Sequence, residues 1–423
     1  MDKLLKTKVF SILFFIVIFA CSFLMVGSVY DGNKAIGAEE KILKLGSVLP
    51  LSGAAAPWGI PWQRTAIMLS DEWNEKGGLP VGNEKYKIEW KWEDDKYKGE
   101  EGRMAAEKLI FRDKVKFIFG PISSASYFAL RDLLEPNKVI AFINTYARES
   151  LGKQWPWTFR VLVTAEEKGP VIYKEVLGRN PGIKKVSLIN RDDETGWAGD
   201  NLSKRLAKFH KLEVVASEFY PTGMKDFSPL VTRMLAKKPD LIDLSNTSAG
   251  DQAAIIKQAR EMGYKGRVMS FPMAPIETLL KVAGKDFIEG YYTEAFAAPL
   301  LPPGHEEFKE RYTKRWGQWV EYAFQASPYG QFVLEAIRSA GSVDSQVVRD
   351  HLAKGEWSYK AIDGERRLGG EKYYGVPHQI YCTMIFSEVR DGKYVGLKKY
   401  EVNDILKLVK EFNDAIPYTP SKR

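Results

Sequence analysis

The residues of this chain whose types and spacing could do chemistry lie just beyond predicted strands. "GPISSA" sets Ser123 and Ser124 at the start of a helix. Free N–H groups, the positive end of the helix dipole and a serine hydroxyl there suit a carboxylate, and one of the two serines also serves as N-cap. "NTYA" places Asn144, Thr145, Tyr146 and Ala147 after another strand. "PLSGAAAPWG" follows the first strand and sets Trp58 among small residues, which let a ligand approach the backbone while the ring covers it. "NRDDETGWAG", "SNTSAG" and "FPMAP" add Trp197, Thr247, Pro272 and Met273. Hydroxyls, amides and aromatic rings collected in this way are equipment for binding.

Equipment for catalysis is missing. There is no G-x-G-x-x-G after a strand, no G-x-x-x-x-G-K-[ST] and no G-x-S-x-G. His210, His305, His351 and His378 are scattered, without H-E-x-x-H or a cysteine pair for zinc. His210 ends a helix and reads as a surface residue facing the dipole. "EDD", residues 93–95, ends a strand and reads as a solvated loop or, alternatively, a metal site. The expectation is a protein that is not an enzyme and holds no cofactor or metal.

The elements that must position these residues alternate. Buried strands such as "ILKLGSVLPL", "VKFIFGP" and "VIAFINT" are separated by helices. In "WGIPWQRTAIMLSDEWNEKGG", Trp62, Ala66, Leu69 and Trp73 fall on one helical face, and Gly77-Gly78 stop the helix. "YKIEWKWEDD" alternates strictly, as a half-buried strand near a sheet edge does. The rhythm breaks over "YARESLGKQWPWTFRVLVTAEEKGP" and restarts at "KKVSLIN", which gives two similar α/β lobes. Three helices follow: "HEEFKERYTKRWG", "SPYGQFVLEAIRSAG" and "SVDSQVVRDHLAKGEW". The chain then ends on a hairpin turning at Asp391-Gly392. In open parallel sheets ligands bind beyond the carboxyl ends of the strands, where the listed residues cluster.

The first 38 residues differ from the rest. Lys3, Lys6 and Lys8 precede an apolar run from Val9 to Val26, and small residues end at Ala38. This is the pattern of a secretory signal peptide cleaved after Ala38, with an uncleaved anchor or lipidation at Cys21 as alternatives. The chain has 423 residues and a net charge of +8 with its charges dispersed. No basic stripe interleaved with aromatics is present, so nucleic acid is not the partner. After cleavage Cys382 is the remaining thiol, so no internal disulfide forms, and its apolar run predicts a buried side chain.

Several stretches together carry a resemblance: "LGSVLPLSGAAAPWG", "NEKGG", "KLIFRDKVKFIFGPISS", "FRVLVTAEEKGP", "GMKDFSPLVTRMLAKKPDLIDL" and "IIKQAREMGYKG". In order and spacing, the chain resembles the type I periplasmic solute-binding proteins of the branched-chain amino acid (leucine/isoleucine/valine) ABC transporter family. The resemblance implies an α/β fold of two Rossmann-like lobes with central parallel sheets joined by a three-strand hinge. Lobe 1 is expected over 39–163 plus 297–362, and lobe 2 over 164–296 plus 363–423. It implies capture of a small-molecule ligand in the periplasm and delivery to an ABC permease. It places the ligand-carboxylate serine on Ser124, the rest of that subsite on Thr145 and Ala147, and the first-loop aromatic on Trp58. A tyrosine of the second lobe falls on Thr195, with Trp197 beyond. The acidic residue that would pair with a ligand ammonium falls near Pro272, and no carboxylate replaces it locally. An unpaired buried ammonium costs several kcal/mol or more. The expected ligand is therefore a carboxylate without an α-amino group, apolar or aromatic in body. Arg148 is available for a second anionic group or is simply solvated. A sensing receptor of the same fold and a branched-chain amino acid receptor are the alternative functions.

Overall fold

The computed structural model describes residues 40–420; the expected signal peptide and Cys21 lie outside them. The first lobe is built on β1 (Ile42–Leu49), β2 (Leu79–Val81), β3 (Glu84–Asp94), β4 (Phe117–Phe119), β5 (Ile140–Ile143) and β6 (Thr158–Arg160). β1 is central: it pairs in parallel with β3 on one side and β4 on the other, and β5 and β6 continue the parallel sheet. A strand enclosed by helices on both faces must be apolar throughout, which is why "LGSVL" is buried from end to end. β2 forms the outer edge antiparallel to β3, so the alternating strand lies one place inside the edge.

The second lobe repeats the plan with β7 (Lys185–Arg191), β8 (Glu213–Tyr220), β9 (Leu241–Asn246), β10 (Arg267–Met269) and β11 (Tyr291–Glu294). Its first strand, β7, again lies between the next two, β8 and β9, in parallel. In both sheets the order reverses at the first strand, which opens a crevice at the carboxyl edge. The helix Ala56–Glu75 covers the first sheet and packs against Tyr322–Ala340. Trp62 is enclosed there, its ring 4.9 Å from Phe119 and 4.6 Å from Tyr329. Gly59 lets the start of that helix lie against the end of β1, because a Cβ would stand 2.1 Å from the Pro50 carbonyl oxygen.

The chain passes between the sheets after β6, after β11 and a third time. β12 (Ser358–Ala361), β13 (Gly364–Gly369) and β14 (Gln379–Tyr381) extend the first sheet, with β14 parallel to β6. β15 (Met384–Arg390) and β16 (Lys393–Tyr400) extend the second, β15 antiparallel to β11. The third crossing is thus Cys382–Thr383, some twenty residues beyond the expected boundary at 363. The "GERRLG" run looks polar, but Arg366 is turned inward, bonded to Asp363 at 2.6 Å and set over the Tyr329 ring. The charges hide a strand of the first sheet. Cys382 is buried, as its apolar run predicts, and the last hairpin turns through Asp391 and Gly392 at φ of 53° and 73°.

Trp58 lies in the first turn of the helix Ala56–Glu75, the helix read from "WGIPWQ", which a 3-10 turn over Gly53–Ala55 starts two residues earlier. One expectation is corrected. The helix expected to begin at Ser327 begins at Tyr322 and runs through Pro328. "Ser-Pro" resembles a helix start, but the surrounding buried packing carries the helix straight through it.

Candidate functional site

The carboxyl edges of the two sheets face one another across a small, largely enclosed cavity. Each wall is built from residues that follow a strand at its sheet's reversal point. Trp58 follows β1 and Ile122 follows β4; Thr195 follows β7, Ser245 and Asn246 end β9, and Thr247 follows it. Asn144 and Tyr146 after β5, Leu162 after β6, and Pro272 and Met273 after β10 complete the ring.

The two walls touch. Trp58 Nε1 donates to the Met273 carbonyl at 2.8 Å. The Ser124 amide donates to Thr195 Oγ1 at 3.2 Å. Arg191 donates to the Tyr97 carbonyl at 3.1 Å, its guanidinium 4.1 Å from that ring's centroid. At Gly250 an added Cβ would sit 3.1 Å from the Ala54 carbonyl oxygen, a tight fit between the two edges. This is a closed arrangement. The loop before Trp58 is fixed by Asp94, which accepts from the Leu51 amide at 2.8 Å and the Ser52 hydroxyl at 2.6 Å. "EDD" therefore organises a strand exit: Glu93 pairs with Lys108, and Asp95, raised to about 6 by burial, accepts from the Tyr97 amide. Among the described residues no group of acids, histidines and cysteines could hold a metal ion.

Of the residues expected from the sequence, Trp58, Asn144, Tyr146, Thr247, Pro272 and Met273 line the cavity. Ser123, Ser124, Thr145 and Ala147 stand behind its wall, fully buried. Ser123 caps the helix Ser124–Leu130 by accepting from the Ser126 amide, while Ser124 Oγ accepts from the Ala147 amide at 3.1 Å. The serine pair thus shapes the turn that carries Asn144 and Tyr146. Trp197 lies outside, donating to Asp192 at 2.9 Å. Arg148 is committed elsewhere: it lies 3.6 Å from Glu166, donates to the Tyr373 carbonyl at 2.6 Å and covers the Tyr418 ring. His210 is not a surface cation, because burial pushes it down to about 4 beside Tyr173.

The cavity also contains residues that the sequence reading did not single out: Tyr97, Ile122, Leu162, Lys168, Ser245, Asn246, Tyr322 and Gln325. Lys168 is the one charged side chain among the lining residues. It sits in the first turn of the helix Ala165–Arg179, whose start is a capping box: Glu167 accepts from the Thr164 amide at 2.8 Å. "TAEEK" carried that signal. Lys168 Nζ pairs with Glu294 at 2.9 Å, and Gln325 Nε2 donates to the same carboxylate oxygen at 2.7 Å. Burial alone would lower the lysine's pKa; Glu294 overrides it and holds the ammonium above its ordinary value. Glu294 ends β11 and Gln325 belongs to the early turn of the helix that starts at Tyr322, so only the fold unites them with Lys168.

Two parallel α/β lobes crossed three times by the chain and shut on a cavity at their reversal points define a two-lobed ligand-binding protein of the type I periplasmic fold. The chain belongs to the periplasmic binding protein family, whose model matches residues 42–393. Leu/Ile/Val-binding protein homolog 8 of Brucella suis biovar 1 (strain 1330) is 26% identical to it over 86% of this chain and 92% of the relative. The leucine binding protein LivK of Thermotoga maritima MSB8 superposes with a TM-score of 0.73 at 20% identity, covering 86% of this chain and all of that one. A solute binding protein of an ABC transporter from R. palustris, in complex with 4-hydroxybenzoate, superposes with a TM-score of 0.71 at 19% identity, over 88% and 100%.

Proposed function

We propose that this protein is the extracytoplasmic solute receptor of an ABC importer, closing on a small carboxylate with an apolar or aromatic body and without an α-amino group. One observation carries the reading: the cavity wall contains a lysine and no carboxylate; the family resemblance would put the acid that meets an ammonium near Pro272. An α-amino acid would bury its ammonium without a counter-charge, at a cost of several kcal/mol. The rings of Trp58, Tyr97, Tyr146 and Tyr322 suit a flat or branched apolar body. Ligand bridges the two walls, shifts the open–closed population and presents both lobes to the permease. In this reading the chain performs no catalysis, residues 1–38 direct export, and the protein works in the periplasm. The names of its relatives point two ways, toward branched-chain amino acids and toward aromatic acids, and the charge of the cavity favours the second.

The test is thermal unfolding against amino acids, aromatic acids, aliphatic acids, amides and polyols. A ligand at 100 times its dissociation constant adds about 2.7 kcal/mol of stability. Stabilisation by aromatic or aliphatic acids, and not by leucine, isoleucine or valine, is the expected result. Stabilisation by leucine-like ligands instead would reject this ligand class.

A further inference from the structure

Lys168 is an unusual residue to find in an otherwise neutral cavity. It is 2% exposed, paired with Glu294 and set beside Tyr146. An ammonium has three donors. One meets Glu294, the Tyr146 ring centroid lies 5.9 Å from Nζ, and the cavity adjoins the group. Glu294 is itself held by Gln325, so the lysine stands on a fixed support. The positive end of the 15-residue helix adds to the local preference for an anion.

Asn144 supplies the complementary chemistry. Asn144 Oδ1 and Gln325 Oε1 are buried and have no hydrogen-bond partner among the described residues, although both side chains line the cavity. The two residues are 5% and 4% exposed. A buried acceptor left unmade is costly, and the Asn144 oxygen asks for a donor from the ligand.

We infer that Lys168, positioned by Glu294 and Gln325, is the specificity residue that takes the ligand's carboxylate, and that Asn144 accepts from a hydroxyl carried on the same apolar or aromatic frame. The inference rests on the proposed reading and narrows it to hydroxylated carboxylic acids. The carboxylate is thereby assigned to Lys168 rather than to Ser124, which stands fully buried behind the cavity wall while Lys168 lines it.

Calorimetric titration of the purified protein with benzoate, 4-hydroxybenzoate, benzamide and leucine tests it. Wild type should bind 4-hydroxybenzoate about 10-fold more tightly than benzoate, the advantage of satisfying a buried acceptor. Lys168→Gln alone would strand Glu294, so the neutral pair Lys168→Gln/Glu294→Gln is made as well, with circular dichroism as the check of folding. In the double variant the acids should lose on the order of 10- to 100-fold, as expected for a charge-assisted bond, while benzamide is unchanged. Asn144→Ala should abolish the preference for the hydroxyl while keeping benzoate. If wild type binds acids and the folded double variant binds them equally well, the role of Lys168 is overturned and the receptor reading stands. If wild type binds leucine and no acid, the reading of the ligand class fails and this inference with it.

Discussion

His378 makes native stability depend on pH in a way that can be worked out from its surroundings. The residue sits at the seam between β6 and β14, beside two of the three crossings. Its Nδ1 lies 2.9 Å from the Thr158 carbonyl oxygen, its ring lies 4.1 Å from Phe159, and it is 3% exposed. Burial pushes its pKa from 6.5 down to about 4. The unfolded chain therefore takes up a proton near pH 6.5, while the native protein waits until about pH 4. The stability is fully present above pH 7 and is lost as pH falls from 6.5 towards 4. At pH 5 the loss is about 2 kcal/mol, and below pH 4 it approaches about 3.4 kcal/mol. Replacing His378 with Gln removes the titration and keeps an N–H donor. Urea unfolding of wild type and His378→Gln should give a stability difference that changes by about 2 kcal/mol between pH 7.5 and pH 5, in favour of the variant at the lower pH. The comparison cancels Asp95, whose raised pKa acts with the opposite sign in both proteins. A difference constant across that range would refute the burial argument for His378.

Two further predictions concern closure and the third crossing. Trp58→Phe removes the donor to the Met273 carbonyl, a bond that joins the two lobes. At about 0.5–1.5 kcal/mol for a net hydrogen bond, affinity for whichever acid stabilises the protein should fall about 2- to 10-fold by titration; an unchanged affinity would mean that the bond does not contribute to closure. The Cys382 thiol is buried and pushed up to about 11. In a Cys21→Ser chain it should ignore an aromatic disulfide reagent at pH 8 until denaturant exposes it, since the thiolate is the reactive form; rapid labelling of the native protein would show the crossing to be open.

Much of the architecture was legible because it follows from local pattern. Continuous apolar runs predicted β1, β4 and β5, strict alternation predicted β3, and Asp391-Gly392 predicted the final turn. Where one element's context outweighed its own residues, the pattern misled. Inward-facing Arg366 disguised β13, and Pro328 concealed five helical residues ahead of it. Arg366 is paired with Asp363 only three residues away, but it is buried against the distant Tyr329 ring, and the helix through Pro328 is likewise enclosed by distant partners.

The sequence by itself determined two α/β lobes, the strand ends at which their cavity opens, and part of its wall: Trp58, Asn144, Tyr146, Thr247, Pro272 and Met273. Tertiary structure alone decided the charge of that cavity. Lys168, Glu294 and Gln325 come from the helix after the first crossing, the last parallel strand of the second sheet and a late helix, more than 150 residues of chain brought within one hydrogen-bonded cluster. A lysine in a sequence reads as a surface group. It becomes part of a binding site only when the fold removes its water and supplies a carboxylate to keep its proton.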